Sequence, residues 1–170
     1  MTQLMEYQTI YSILNDAPRV PWVHVFIGLI GGPAFIYASW KTRSWLFLVL
    51  GIVWAGFWNI TILPASWAIY RDHEQSKAAL RSGNCKAVEG TIEDFHPMPY
   101  TGHSYERFKI QGVSFEYSDF DDSKAGFNHT LSHGGPLHGG MHVRLHYRDG
   151  RILQIEVPKD FSAKTSPSSR

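Results

Sequence analysis

Cysteine and clustered charge are scarce in this 170-residue chain, and each scarcity removes a class of function. Cys85 is the only cysteine, which excludes an intramolecular disulfide, a cysteine-rich zinc centre and a secreted disulfide scaffold. With no cationic cluster around it in sequence, it reads as a small residue near a helix end rather than a reactive thiol. Sixteen Lys and Arg balance fifteen Asp and Glu, a net charge of +1, so there is no polybasic footprint and no nucleic-acid partner is expected. The most informative absence is local. Trp45 to Tyr70 holds no Asp, Glu, Lys or Arg across 26 residues; as a helix rising 1.5 Å per residue it reaches about 39 Å, against roughly 30 Å of bilayer core. This stretch predicts a membrane span.

What remains divides around that span. Residues 1–21 carry few charges and end in Ala17-Pro18-Arg19-Val20-Pro21, so they read as an interfacial segment closed by a proline turn. Trp22 to Trp40 follows as 19 residues without Asp, Glu, Lys or Arg, a second span. A cleaved signal peptide is disfavoured because no basic stretch precedes it and no Ala-x-Ala site follows. Gly28 and Gly32 on the first span and Gly51 and Ala55 on the second are small-xxx-small pairs. Joined by Lys41 to Ser44, they predict an antiparallel hairpin with closely packed backbones. Trp22, Trp40, Trp45, Trp67 and Tyr70 lie near the span ends, where aromatic rings anchor at the headgroups. Asn59 and Thr61 precede Pro64 and are expected to satisfy the backbone that the proline breaks. No carboxylate or basic pair lies within the spans, which argues against transport. Two basic residues in the hairpin loop against four on the flanks favour cytoplasmic termini.

Beyond the membrane, helix formers continue to Ser82 and stop at Gly83-Asn84. The pattern then alternates, predicting a strand over Lys86 to Phe95, a hairpin around Gln111-Gly112, and a second hairpin around Asp149-Gly150 that joins Met141–Tyr147 to Ile152–Val157. The expected fold class is therefore an α+β membrane protein. Its divisions are an interfacial segment at 1–21, a transmembrane hairpin with an emerging helix at 22–83, a five-stranded antiparallel barrel-like domain of the OB or SH3 kind at 84–158, and a disordered tail at 159–170.

Several motifs in the second half go together: Val88-Glu89-Gly90-Thr91-Ile92-Glu93-Asp94-Phe95-His96-Pro97-Met98-Pro99, Gly102-His103, Phe115-Glu116-Tyr117-Ser118-Asp119, Gly126-Phe127-Asn128 and Ser132-His133-Gly134-Gly135-Pro136. Over Gly83 to Val157 the chain resembles an uncharacterised family of short bacterial membrane proteins that pair N-terminal helices with a small β domain. The resemblance implies a multi-pass protein of the bacterial inner membrane. It lends no activity, because none is assigned to the family.

Chemistry, if present, lies in Phe127 to His146, which carries five histidines. His142 and His146 stand about 13 Å apart on an extended strand and cannot share a metal. His129, His133 and His138 converge if the Gly134-Gly135-Pro136 turn folds back, giving a three-ligand zinc alternative; otherwise no cofactor is expected. Asp119, Asp121 and Ser123 begin like a calcium loop, but Lys124 occupies the glycine position. Ser132 beside His133 supplies a nucleophile and a base without a third partner, the basis of a hydrolase alternative. Two long loops, His96 to Tyr105 and Ser118 to Gly140, bring forward His96, Met98, Tyr100, His103, Tyr105, Phe127, Asn128 and His133 as a binding surface. The resulting expectation is a noncatalytic accessory protein. Its hairpin sits in the lipid bilayer and its β domain docks on another membrane or membrane-proximal protein; small-ligand or metal sensing is the rival.

Overall fold

The computed structural model describes residues 6–121 and 123–159, and the chain divides into two compact units. One is helical, Pro18–Asp72; the other joins residues from both ends of the chain, before Pro18 and after Asp72.

The helical unit begins with α1, Trp22–Thr42, turns through Arg43 in the left-handed conformation, and returns in α2, Trp45–Phe57. The link is thus two residues rather than four, because Lys41 and Thr42 extend α1. Small residues set the α1 and α2 packing as expected. An ideal Cβ on Gly32 would stand 3.6 Å from the Ala55 Cβ, and one on Gly51 would stand 3.5 Å from the Gly32 carbonyl oxygen. Gly28 instead receives the Trp58 ring, and Gly31 the Trp54 indole. After α2 the helix widens into a π turn, Trp58–Ile62, in which the Leu63 amide donates to the Trp58 carbonyl. The Asn59 amide donates to Ala55 O at 2.7 Å and the Thr61 hydroxyl to Phe57 O. Both polar side chains therefore bond back one turn, to carbonyls preceding the widened segment, instead of to the carbonyl that Pro64 leaves free. Helix α3, Leu63–Ser82, continues without a break, so that Trp45–Ser82 and Trp22–Thr42 are both long and apolar enough to cross a membrane.

Among the described residues the second unit holds seven strands in two antiparallel sheets. Strands β1 (Tyr7–Ser12), β2 (Lys86–Thr91), β6 (His142–Arg148) and β7 (Arg151–Pro158) form one sheet in the order β1-β7-β6-β2. Strands β3 (Glu93–His96), β4 (Glu106–Ile110) and β5 (Val113–Tyr117) form the other. The expected single five-stranded barrel is replaced by these two sheets, and among the described residues no barrel closes. The expected Lys86–Phe95 strand divides between them at Ile92, and the φ of 49° at Asp94 falls within β3, in the irregularity between Glu93 and His96. The segment expected at the membrane interface supplies β1, paired with β7 from Tyr7↔Pro158 to Ser12↔Gln154. A bulge between Thr9 and Tyr11 shifts the side-chain parity, so Tyr7 lies over Arg144 while Tyr11 packs edge-on against Phe127 at 5.1 Å.

Alternation explains one shared core. Phe108, Ile110, Phe115 and Tyr117 from the three-stranded sheet meet Val88, Val143, Leu145 and Ile155 from the four-stranded sheet, with Leu137 and Met141 between them. Both tight turns take the geometry their sequences call for. Gln111-Gly112 and Asp149-Gly150 each have positive φ at both central positions, matching the strand twist. Of the expected tail, Lys159 pairs through its amide and ammonium with Glu6, and residues 160–170 lie outside the described residues.

Candidate docking site

The loops after β3 and β5 meet through their rings. Tyr100 lies 4.9 Å from the His133 ring, His103 stacks on Phe120 at 4.0 Å, and Phe120 presents its edge toward His133 at 6.4 Å. Tyr100 is 71 % exposed and Phe120 53 %. Among the described residues the other exposed large hydrophobic side chains of the β unit are Ile10, Leu14, Tyr105 and Leu131, and the Tyr100 and Phe120 rings expose apolar surface where the two loops are joined.

Beneath the rings lies a polar anchor. Asp119 accepts from the Thr130 amide at 3.0 Å, from the Thr130 hydroxyl, and from His133 Nδ1 at 2.8 Å. His129 Nδ1 stands 3.5 Å from the other carboxylate oxygen. Burial raises the Asp119 carboxyl, but the Thr130 hydroxyl and amide and His133 lower it more, so it lies below the ordinary carboxylate value. A carboxylate only accepts, so Nδ1 of His133 donates to Asp119, and that bond fixes the ring beside the Tyr100 face.

A second carboxyl fixes the turn that carries His133. Glu106 is 0 % exposed and accepts from the Tyr117 hydroxyl and from the Leu131 amide at 3.0 Å. Leu131 opens the 3-10 turn Leu131–His133, which Gly134 ends with φ 92°. Burial first, then Glu106, pushes the Tyr117 phenol far above its ordinary value. Gly135 closes the turn, its amide donating to Thr130 O at 2.7 Å. An ideal Cβ there would lie 2.1 Å from the His129 carbonyl oxygen, so only glycine fits.

Not every expected site residue reaches this surface. Met98 is 1 % exposed and Phe127 7 %, and both belong to the interior: Met98 receives the Ser118 hydroxyl at 3.6 Å, and Phe127 packs against Tyr11 and Tyr117. His96 lies on β3 in a groove with Asp94, Arg107 and Lys109. Tyr105 and Asn128 line a separate cleft of about 350 Å³ with Asp121, Lys124 and Arg151. His138 turns away and bonds Gly139 O at 3.0 Å, so the three histidines of the zinc alternative do not converge. Among the described residues no group of three or more His, Cys, Asp or Glu is placed to hold a metal ion. Ser132 Oγ approaches the same Nδ1 that Asp119 holds, at 3.5 Å. A nucleophile is activated from the nitrogen opposite the carboxylate, and this serine lies on the wrong side.

Sequence reasoning missed Glu106 and undervalued Asp119. Glu106 had a signal, since it shares inward parity with Phe108 and Ile110 along β4. Asp119 had none beyond the calcium-like spacing. Set against protein-family models, curated proteins and solved structures, the chain matches none of them.

Proposed function

We propose that the chain is a membrane-anchored, noncatalytic docking protein in which Tyr100, His103, Phe120 and His133 form the contact surface for another membrane or membrane-proximal protein. The observation that carries this reading is the joined pair of loops. Its aromatic rings are exposed yet already held in place, and rigid exposed aromatics are what interface hot spots are made of. Asp119 holds the His133 ring at the centre of that surface, beside Tyr100 and Phe120. Anchoring rests on the hairpin. Trp40, Trp45 and Ile60 are each at least three-quarters exposed in the isolated chain, apolar area that a bilayer removes from water. A hairpin that crosses twice returns to the side it left, and the β unit is built from both flanking segments, so both flanks lie on one side of the bilayer.

Mild detergent extraction with crosslinking tests the reading. A partner recovered with the wild type and lost with Tyr100→Ala and Phe120→Ala supports it. Recovery of the wild type only as an isolated species refutes it. The cleft at Tyr105 and Asn128 supports small-ligand sensing as a second reading; a thermal shift with a metabolite panel, absent in Asn128→Ala, would favour it over docking.

A further inference from the structure

Two tyrosine rings of the β unit carry a cation supplied by the chain itself. The Arg144 guanidinium lies 3.9 Å from the centre of the Tyr7 ring. Glu89 holds it there, accepting from Arg144 Nε at 2.8 Å and from the Tyr7 hydroxyl at 2.6 Å. The Lys124 ammonium stands 5.9 Å from the Tyr105 ring and is held by Asp121 at 2.6 Å. In each case a ring face and a carboxylate share one cation, the ring attracting it through its quadrupole and the carboxylate through its charge.

Tyr100 has the ring and the carboxylate without the cation. Its ring is 71 % exposed and lies 4.9 Å from the His133 ring, whose Nδ1 is 2.8 Å from Asp119. The Asp119 carboxyl lies below its ordinary value and is ionised at neutral pH. Among the described residues it is ion-paired only with His129 and His133, and no Lys or Arg lies over the Tyr100 ring. The two loops have no cation to spare: residues 96–105 contain no Lys, Arg, Asp or Glu, and residues 118–140 contain three Asp against Lys124, which Asp121 already holds.

We propose that this face takes an arginine side chain of the docking partner, its guanidinium lying over Tyr100 in the field of Asp119. The inference rests on the docking reading of the loop surface and names the group that surface recognises. Charge complementarity selects a cation. An acidic partner residue would meet Asp119 as a like charge, and an apolar one would leave that charge uncompensated. Arginine is favoured over lysine because a planar, weakly hydrated guanidinium stacks on an open ring face, where a compact ammonium keeps its water. Arg144 on Tyr7 is the chain's own example of that contact.

The test titrates the full chain, in micelles of a non-ionic detergent and isotope-labelled on its tyrosine rings, with N-acetyl-arginine amide and with its neutral isostere N-acetyl-citrulline amide. Nuclear magnetic resonance should show a saturable shift of the Tyr100 ring with the arginine probe, while the Tyr7 and Tyr105 rings, whose cations are already in place, stay unmoved. The citrulline probe should bind at least about threefold more weakly. Tyr100→Phe should keep the binding and Tyr100→Leu should lose it, both leaving the Asp119 anchor intact. Equal affinity for the two probes, no saturable shift at Tyr100, or undiminished binding in Tyr100→Leu each overturns the proposal. Partner capture judges the docking reading separately. A partner lost with Tyr100→Ala, beside a Tyr100 ring that ignores the arginine probe, sinks the arginine assignment alone; an arginine response with no partner recovered sinks docking and leaves the cation-binding face standing.

Discussion

Replacing Glu106 should loosen the docking surface from beneath without touching it. Its carboxyl serves the Tyr117 hydroxyl, which is buried, and the Leu131 amide, whose residue is partly open to water. Glu106→Ala leaves the phenol without an acceptor at about 1–3 kcal/mol, adds a cavity, and lets the amide recruit water, for a total of roughly 3–4 kcal/mol. Glu106→Gln keeps the volume and one carbonyl oxygen. With that oxygen toward the Tyr117 hydroxyl, its amide NH2 faces the Leu131 N–H, donor against donor, for about 1–2 kcal/mol. The assay is thermal unfolding of the full chain in micelles combined with hydrogen exchange at the Leu131 amide. The expected order of stability is wild type, Gln, Ala, with Leu131 exchange accelerated in both variants. Tyr117→Phe combined with Glu106→Ala should cost less than the sum of the two, because both remove one shared bond. Leu131 protection at wild-type level in Glu106→Ala would refute the reasoning, since the turn would then be held by something else.

Acid should release the Asp119 anchor. Its folded value is lowered, so its contribution is present above the ordinary carboxylate value of 3.8 and is lost as pH falls through the folded value; melting curves between about pH 6 and 2.5 should fall more steeply for wild type than for Asp119→Asn. Gly135→Ala drives a Cβ into the His129 carbonyl and should destabilise by several kcal/mol, whereas Gly150→Ala, with open space around it but φ 77°, should cost only about 1–2 kcal/mol; chemical denaturation ranks the pair. In the hairpin, Gly31→Val must displace the Trp54 indole, 2.4 Å from an ideal Cβ, while Gly56→Ala meets nothing within 4 Å. A changed tryptophan emission in the first and none in the second is the expected result.

Local signals carried much of the fold. The two hairpins follow from Gln111-Gly112 and Asp149-Gly150 flanked by alternating apolar residues, and Gly32, Gly51 and Ala55 meet as their spacing suggested, whereas Gly28 packs on Trp58 instead. Strand β1 was not legible, because its partner β7 is more than 140 residues away and a helical hairpin intervenes. No local pattern marks a pairing of that range. The division into two sheets falls at Ile92, an apolar residue that keeps the alternation of the segment, so no local signal marked it. Of the rings that meet between the loops, Tyr100, His103 and His133 were put forward from loop length and composition. Met98 and Phe127 were misplaced because residues in Pro- and Gly-rich loops look exposed, while here those loops fold back over the core and fill it.

The far separation of β1 from β7 also imposes an order of events in synthesis. The first strand emerges before either helix, and the edge it must join is the last part of the unit to leave the ribosome. Throughout that interval Tyr7 to Ser12 is an uncharged, β-prone segment with no strand to receive it, and such contacts of long range form late. On the membrane-anchored reading proposed above, a route into the bilayer would have to keep Tyr7 to Ser12 on the side where β7 arrives, and a chain whose first strand were carried across would lose the β1–β7 pairing.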